Sequence, residues 1–474
     1  MFLLLVIIFL HPIWARDLRA SQNVQDYSHL LNSKNLKHSI LFTSLEKSEK
    51  PLFESNSRAL LSPASLTKIV TAAATFSQYG TNGTFQTSVF YSGDMQNGVV
   101  RGNLVFKGVG DPFLVSEKLW QLAVDLKNLG IKEIAGKIMI DDSYFDAEER
   151  DVSRLEGEKK SRHAYDAPIS ALAVNFNTLA ISIAPGQAAG QPALVALDPY
   201  PLAEVTIQNR VQTTVKTSAK STTLDVSRVG DSTNVTLIVD GTISVDSPIK
   251  KIYRSTSVPL SASIIQAFLQ KEGIVVRQGD VLSSALHPLL SIESYDMRKI
   301  VQGLNTFSNN FIADMLTKKL GADMFSPPGT LNNGARALKK FLVERVGIKS
   351  NFEIENGSGL DVRNRLSCEQ IVEILKFSYR QNLFVDLYGS LPSFGNEGTL
   401  KKRGRNQGDA FQSVRAKSGT LTEPIVVSGL AGVYKHVRLG FVGFCILSNG
   451  ISGRGQPNLS ELHQFQEALI NRFL

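Results

Sequence analysis

The sequence predicts an α/β (α+β) protein. One α/β domain has its two halves far apart in the chain, and a long insertion between them includes a small, mainly β module. Three observations carry this. A strand pair and an Ala-rich helix open the chain, strands and a helix close it, and residues 170–245 are almost wholly short strands rich in Val, Ile and Thr. At 474 residues the chain exceeds one ordinary core. A hydrophobic fraction of 43% beside 20% charged residues is the make-up of a soluble globular protein.

The first fifteen positions stand apart. Met1 to Leu10 is apolar, too short to span a bilayer, and Ala15 precedes the charged Arg16-Asp17. Residues 1–15 are therefore expected to be a signal peptide, and the mature chain is expected to be exported and soluble, with at most peripheral membrane association.

The elements then follow in order. Residues 38–44 and 51–54 read as two strands around a polar turn. An apolar, Ala-rich helix runs from Ser65 to about Tyr79, with Pro63 ending what precedes it. Residues 87–91 and 99–107 read as a hairpin, 108–112 as a turn, 117–130 as a helix and 137–141 as a strand. Short strands are expected at 178–183, 204–207, 211–216, 222–226 and 234–239. Helix returns at 261–272 and across 297–320, where it breaks around 305–308, then at 332–346 and 368–378. A strand begins at Lys417 and continues into 426–433, a second strand covers 438–448, and residues 459–473 close the chain as a helix.

Ser65-Leu66-Thr67-Lys68 is the stretch with the most chemistry. Three residues apart on a helix, Ser65 and Lys68 share a face. A desolvated lysine can take the proton that makes a serine hydroxyl nucleophilic, and a helix N-terminus offers N–H groups to an oxyanion. Ser-x-x-Lys recurs at Ser44–Lys47 and Ser247–Lys250, in polar contexts that read as surface. Two further motifs single out the Ser65 copy. Ser308-Asn309-Asn310 falls in a helix break, where Ser308 and Asn310 can project into a cleft. Lys417-Ser418-Gly419-Thr420 starts a strand whose edge can pair with an extended peptide, with Gly419 permitting close approach. Lys417, Ser418 and Thr420 can hold a carboxylate.

With these motifs the chain resembles the class C low-molecular-mass penicillin-binding proteins, the D-alanyl-D-alanine carboxypeptidase/endopeptidase family. Further stretches carry the resemblance: Gly108-Val109-Gly110-Asp111-Pro112, Asp141-Asp142-Ser143-Tyr144-Phe145-Asp146, Ala167-Pro168-Ile169-Ser170-Ala171-Leu172, Asn356-Gly357-Ser358-Gly359-Leu360 and Gly398-Thr399-Leu400. The long gap between Lys68 and Ser308 fits as well. The resemblance implies a penicillin-binding-protein/β-lactamase-like transpeptidase fold, an antiparallel sheet flanked by helices with two inserted domains. It divides the chain into a catalytic domain at 16–84 and 290–474, an inserted α/β domain at 85–169 and 246–289, and a nested all-β domain at 170–245. It also implies roles: Ser65 as acylated nucleophile, Lys68 as its proton acceptor, and Ser308 with Lys417 as the relay to the leaving amine. Asn310 would hold the substrate amide, Ser418, Gly419 and Thr420 would bind its C-terminal end, and the Ser65 and Thr420 N–H groups would form the oxyanion hole. The implied partners are peptidoglycan peptides and β-lactam antibiotics, in the periplasm or cell envelope. Ser418 departs from the commoner Thr but keeps the hydroxyl, and Thr422-Glu423-Pro424-Ile425 replaces the usual small apolar run.

Other classes fare worse. The formal charge of +8 is dispersed, its densest run being Lys401-Lys402-Arg403-Gly404-Arg405, so no nucleic-acid partner is expected. Seven scattered histidines and two cysteines, Cys368 and Cys445, give no metal-ligand spacing, and no metal or other cofactor is expected. Cys445 reads as a buried small hydrophobe, and whether it pairs with Cys368 is open. A β-lactamase or esterase on the same fold, or a catalytically silent envelope-binding protein, are the alternatives.

Overall fold

The two ends of the chain meet in one antiparallel sheet. This computed structural model describes residues 28–31, 33–47, 50–150, 164, 167–215, 222–230, 234–255, 260–281, 285–405 and 407–474. The signal peptide expected at 1–15 lies outside the described residues. The opening hairpin is β1 (Leu36–Ser44) and β2 (Phe53–Ser55). A 3-10 turn at Ala64–Leu66 leads into α1 (Thr67–Tyr79), which is buried from Thr67 to Phe76. Such a helix, apolar nearly all round, belongs at the centre of a domain. Gly80, at φ 72°, ends it by donating its N–H to the Phe76 carbonyl.

The insertion follows. It contains β3 (Thr84–Ser92), β4 (Leu104–Lys107), α2 (Ser116–Asn128), β5 (Ile138–Asp141), α3 (Ser261–Lys271) and β6 (Leu286–Asp296). The four strands form a sheet in the order β6-β3-β4-β5. The strand expected over 99–107 is two pieces. Val99–Val100 joins a separate small sheet, because at Gly102 the backbone passes so close to the Ser92 carbonyl that a Cβ would come within 1.9 Å of it. The turn expected at 108–112 is also half strand: Asp111–Leu114 pairs in parallel with Leu172–Val174. Between α2 and α3, Thr178–Ala184 pairs with Leu194–Asp198 and Lys250–Ser255. Val235–Ser244 pairs with Val205–Asn209, Gln212–Thr214 and Thr223–Gly230. This insertion has its own core, which includes Leu119, Ile181, Leu237 and Phe268.

The chain then returns through α4 (Met297–Thr306), α5 (Asn310–Phe325), α6 (Leu331–Phe341) and α7 (Cys368–Arg380). It ends with β7 (Arg415–Leu421), β8 (Val427–His436), β9 (Gly440–Gly450) and α8 (Leu459–Phe473). The strand expected to run from Lys417 on through 433 is thus a hairpin, β7 and β8. Pro424, with no N–H to give a ladder, sits in the turn between them. The sheet order is β2-β1-β9-β8-β7, with every pair antiparallel. One face packs on the helices through Leu66, Ile69, Ala73, Phe311, Ile371 and Leu447. The other face meets α8 through Phe42, Tyr434, Phe444, Phe465 and Leu469. Each such fully buried side chain contributes roughly 1.5–3 kcal/mol. Cys445 is buried on β9 but is no free hydrophobe: it forms a disulfide with Cys368 at the start of α7, the Cα atoms 5.2 Å apart. Among the described residues no helix is long and apolar enough to cross a membrane.

Candidate active site

Three short segments converge where α1 begins. Ala64, at φ 47°, and the 3-10 turn raise Ser65 to partial exposure between buried neighbours. Gly359 makes room for this: at φ 79° a Cβ there would come within 1.9 Å of the Ala64 carbonyl oxygen. One turn on, the wholly buried Lys68 donates to Ser65 Oγ at 3.0 Å and to Asn310 Oδ1 at 2.8 Å. It also donates to the Ser358 carbonyl.

The second segment is the break between α4 and α5. Asp296 caps α4 by accepting the Lys299 N–H at 2.9 Å, and Asn309 caps α5 by accepting that of Ile312 at 3.2 Å. Ser308 sits between the helices at φ 53°, the left-handed conformation that redirects the chain from one helix to the next. Asn310 then falls on the first, buried turn of α5 and faces Lys68.

The third segment is the edge strand β7. Lys417 points inward, wholly buried, and donates to Ser308 Oγ and to the Ser418 carbonyl, both at 2.7 Å. Burial pushes the Lys417 ammonium well below lysine's usual pKa, and the positive charge of Lys68 adds to this. Gly419 lies against the start of α1: a Cβ there would come within 2.8 Å of the Pro63 carbonyl and 3.1 Å of the Ser65 nitrogen. Thr420 is exposed on the strand edge. Ser418 Oγ donates to Thr399 Oγ1 at 2.9 Å.

The arrangement is two serine–lysine pairs, Ser65–Lys68 and Ser308–Lys417, with Asn310 between the segments. Hydrogen bonds join Ser65 and Asn310 through Lys68 in one group and Ser308 and Ser418 through Lys417 in another, and Gly419 and Thr420 continue the strand that carries the second. The Ser358 carbonyl and Thr399 are contacts that the sequence reading did not assign. Their signal was the turn-rich Asn356-Gly357-Ser358-Gly359 and Gly398-Thr399, whose glycines take left-handed conformations at 359 and 398. The Ser44 copy of Ser-x-x-Lys, expected at the surface, has Ser44 buried at the end of β1, its hydroxyl donating to the Leu439 carbonyl. Among the described residues no group of three or more His, Cys, Asp or Glu could hold a metal ion.

Comparison with known proteins follows the same lines. The D-Ala-D-Ala carboxypeptidase 3 (S13) family matches residues 25–468. The chain is 30% identical over 421 residues to a D-alanyl-D-alanine carboxypeptidase of Actinomadura sp. (strain R39), covering 83% of this chain and 74% of that one. It is 26% identical over 436 residues to D-alanyl-D-alanine carboxypeptidase DacB of Haemophilus influenzae, covering 88% and 87%. The crystal structure of penicillin binding protein 4 (dacB) from Haemophilus influenzae matches with a TM-score of 0.72 at 23% identity, over 95% of this chain and 98% of that one. A structure of that protein complexed with a β-lactam matches with a TM-score of 0.67 over the same shares, also at 23% identity. The fold is therefore the penicillin-binding-protein/β-lactamase-like one that the motifs implied.

Proposed function

The chain belongs to the D-Ala-D-Ala carboxypeptidase 3 (S13) family, and from that premise we propose that it is an exported serine-type D-Ala-D-Ala carboxypeptidase that cuts peptidoglycan stem peptides through an acyl-enzyme on Ser65. The observation that carries this is the pair of lysine–serine contacts, 3.0 Å at Lys68–Ser65 and 2.7 Å at Lys417–Ser308.

A neutral lysine amine has two hydrogens and one lone pair. On Lys68 the Asn310 amide oxygen and the Ser358 carbonyl take the two hydrogens, which leaves the lone pair for the Ser65 hydroxyl proton. Ser65 Oγ attacks the carbonyl carbon of the penultimate D-Ala, and Ser308, held by Lys417, passes a proton to the departing amine. Water then hydrolyses the ester. Ser418 and Thr420 bind the terminal carboxylate, Asn310 the substrate amide, and the Ser65 and Thr420 N–H groups the oxyanion. A β-lactam would stall at the ester stage. The chemistry is assigned to segments 16–84 and 290–474, with 85–169 and 246–289 as an inserted α/β domain around the β domain 170–245. The Cys368–Cys445 disulfide supports an oxidising compartment outside the cytoplasm, hence export by the leader at 1–15.

The test is to incubate purified mature protein and a Ser65→Ala variant with fluorescent penicillin and with a D-Ala-D-Ala-terminated peptide. The reading expects a persistent, Ser65-dependent adduct together with D-Ala release. Rapid turnover of the drug would favour a β-lactamase, and a well-folded protein that is never acylated would favour a silent envelope-binding protein.

A further inference from the structure

Lys68 and Thr71, three residues apart on one face of α1, meet the same short loop. Lys68 donates to the Ser358 carbonyl, and Thr71 Oγ1 donates to the Gly357 carbonyl at 2.8 Å. Two successive backbone carbonyls are thus turned onto the helix that follows Ser65. A backbone carbonyl is only as well placed as the chain that carries it. Whatever holds residues 357 and 358 therefore also sets the direction of the Lys68 amine.

Two asparagines fix the loop from behind, Asn356 and Asn364, both wholly buried. Asn364 Oδ1 accepts the Glu355 N–H at 2.6 Å and the Asn356 N–H at 3.4 Å. Its Nδ2 donates to Asn356 Oδ1 at 3.0 Å and to the Asn356 carbonyl at 3.3 Å. Asn356 Oδ1 also accepts the Gly359 N–H at 3.0 Å, which closes the chain around residues 357 and 358. Beyond Asn364, Leu366 exchanges two backbone hydrogen bonds with Leu61, each 3.0 Å, just upstream of Ser65. On the other side the loop is wedged between helices. A Cβ on Gly357 would come within 2.0 Å of Thr317 Oγ1 on α5 and 2.8 Å of Thr71 Oγ1.

Stability alone does not account for these amides. Asn356 Nδ2 is buried with no hydrogen-bond partner among the described residues, a cost that an apolar side chain of similar size would not carry. The oxygen of the same amide accepts twice and shapes the turn. We propose that Thr71, Asn356 and Asn364 are positioning residues for the base: they hold the Gly357 and Ser358 carbonyls against α1, so that Ser358 takes one Lys68 hydrogen and the amine lone pair is directed at Ser65 Oγ. They act through the Ser358 carbonyl, not on the substrate. The inference rests on the DD-peptidase reading above.

The experiment follows penicillin acylation of the full mature protein by stopped flow over a range of drug concentrations. This separates the dissociation constant of the non-covalent complex from the acylation rate constant, and intact mass at completion counts the molecules able to react. Asn364→Leu removes the amide contacts, and Thr71→Val removes the donor on α1 while keeping the side-chain shape. The rate constant is expected to fall by about tenfold to a hundredfold in Asn364→Leu and by about three- to tenfold in Thr71→Val. The dissociation constant should stay within about twofold of the parent, with every folded molecule acylated at the end. Thr71→Val decides the matter if Asn364→Leu does not fold. A rate constant within about twofold of the parent in either folded variant, a loss carried by the dissociation constant, or a loss only in the amount acylated would each overturn the positioning role and leave the DD-peptidase reading standing. A parent that is never acylated on Ser65 would overturn that reading, and the positioning role with it.

Discussion

The helix-borne and strand-borne halves of the site use the same two residue types differently. Lys68, on α1, is fixed by three partners: Ser65 Oγ, Asn310 Oδ1 and the Ser358 carbonyl. Lys417, on β7, has two, Ser308 Oγ and the carbonyl of its own neighbour Ser418. Both are wholly buried. The difference teaches that position on the scaffold assigns the work. A lysine one helical turn from a serine, with its other hydrogens taken, is oriented as a base. A lysine on an edge strand, bridging to a separate turn, is an electrostatic tie between two segments.

Substituting each lysine breaks the comparison most sharply. Lys68→Ala should slow penicillin acylation by about a thousandfold or more, and Lys417→Ala by about a hundredfold, as loss of a base and loss of an electrostatic contact generally cost. Equal losses in stopped-flow acylation rates would show that the halves are not distinct in role. A pH series sharpens the same contrast. Because folding disfavours the charged form of Lys417, its cost to stability is full below the lowered pKa and is gone above lysine's usual value. Urea-denaturation stability should therefore rise with pH through that window, and Lys417→Met should flatten the rise.

The disulfide tests whether the sheet side depends on a covalent anchor. Replacing Cys368 and Cys445 together by Ala should cost about 2–5 kcal/mol of unfolding free energy. The fraction still folded should acylate at the parental rate, which a denaturation curve read alongside acylation would check.

The insertion provides a third contrast, since Asp111 titrates far from either lysine. Burial pushes its carboxyl up to about 6, against the pull of its bonds from the Phe113 N–H and the Ser294 hydroxyl. An acid whose pKa is raised by folding favours the native state while protonated. Stability should then fall by on the order of 2–3 kcal/mol as pH rises from about 4 to 6, and Asp111→Asn should remove most of that slope. Smallest of all, Thr399→Val deprives Ser418 Oγ of its acceptor and should raise KM for a carboxylate-ended peptide by only about three- to tenfold. Parallel losses of acylation in this variant would blur the two halves.

Much of this site was legible because its spacing is local. Ser65 and Lys68 meet wherever the segment is helical, and Ser308 lies in a break that the sequence marks with consecutive asparagines. The opening hairpin was legible for the same reason, its two strands being separated by a short polar turn. The rest depends on contacts made in three dimensions. The Ser358 carbonyl is a backbone group and carries no residue signature. Cys368 and Cys445 meet only because α7 starts over β9. Arg403, part of the densest basic run of the sequence, folds under α8 to pair with Glu467 at 2.9 Å. Pro424 did mark the end of β7, but a strand expected to run through it obscured the hairpin.

The most direct measurement is to digest the β-lactam-treated protein and locate the adduct by mass spectrometry. The account predicts a single modified peptide, the one containing Ser65, absent in Ser65→Ala. An adduct on Ser308, or on any peptide outside the start of α1, would contradict it.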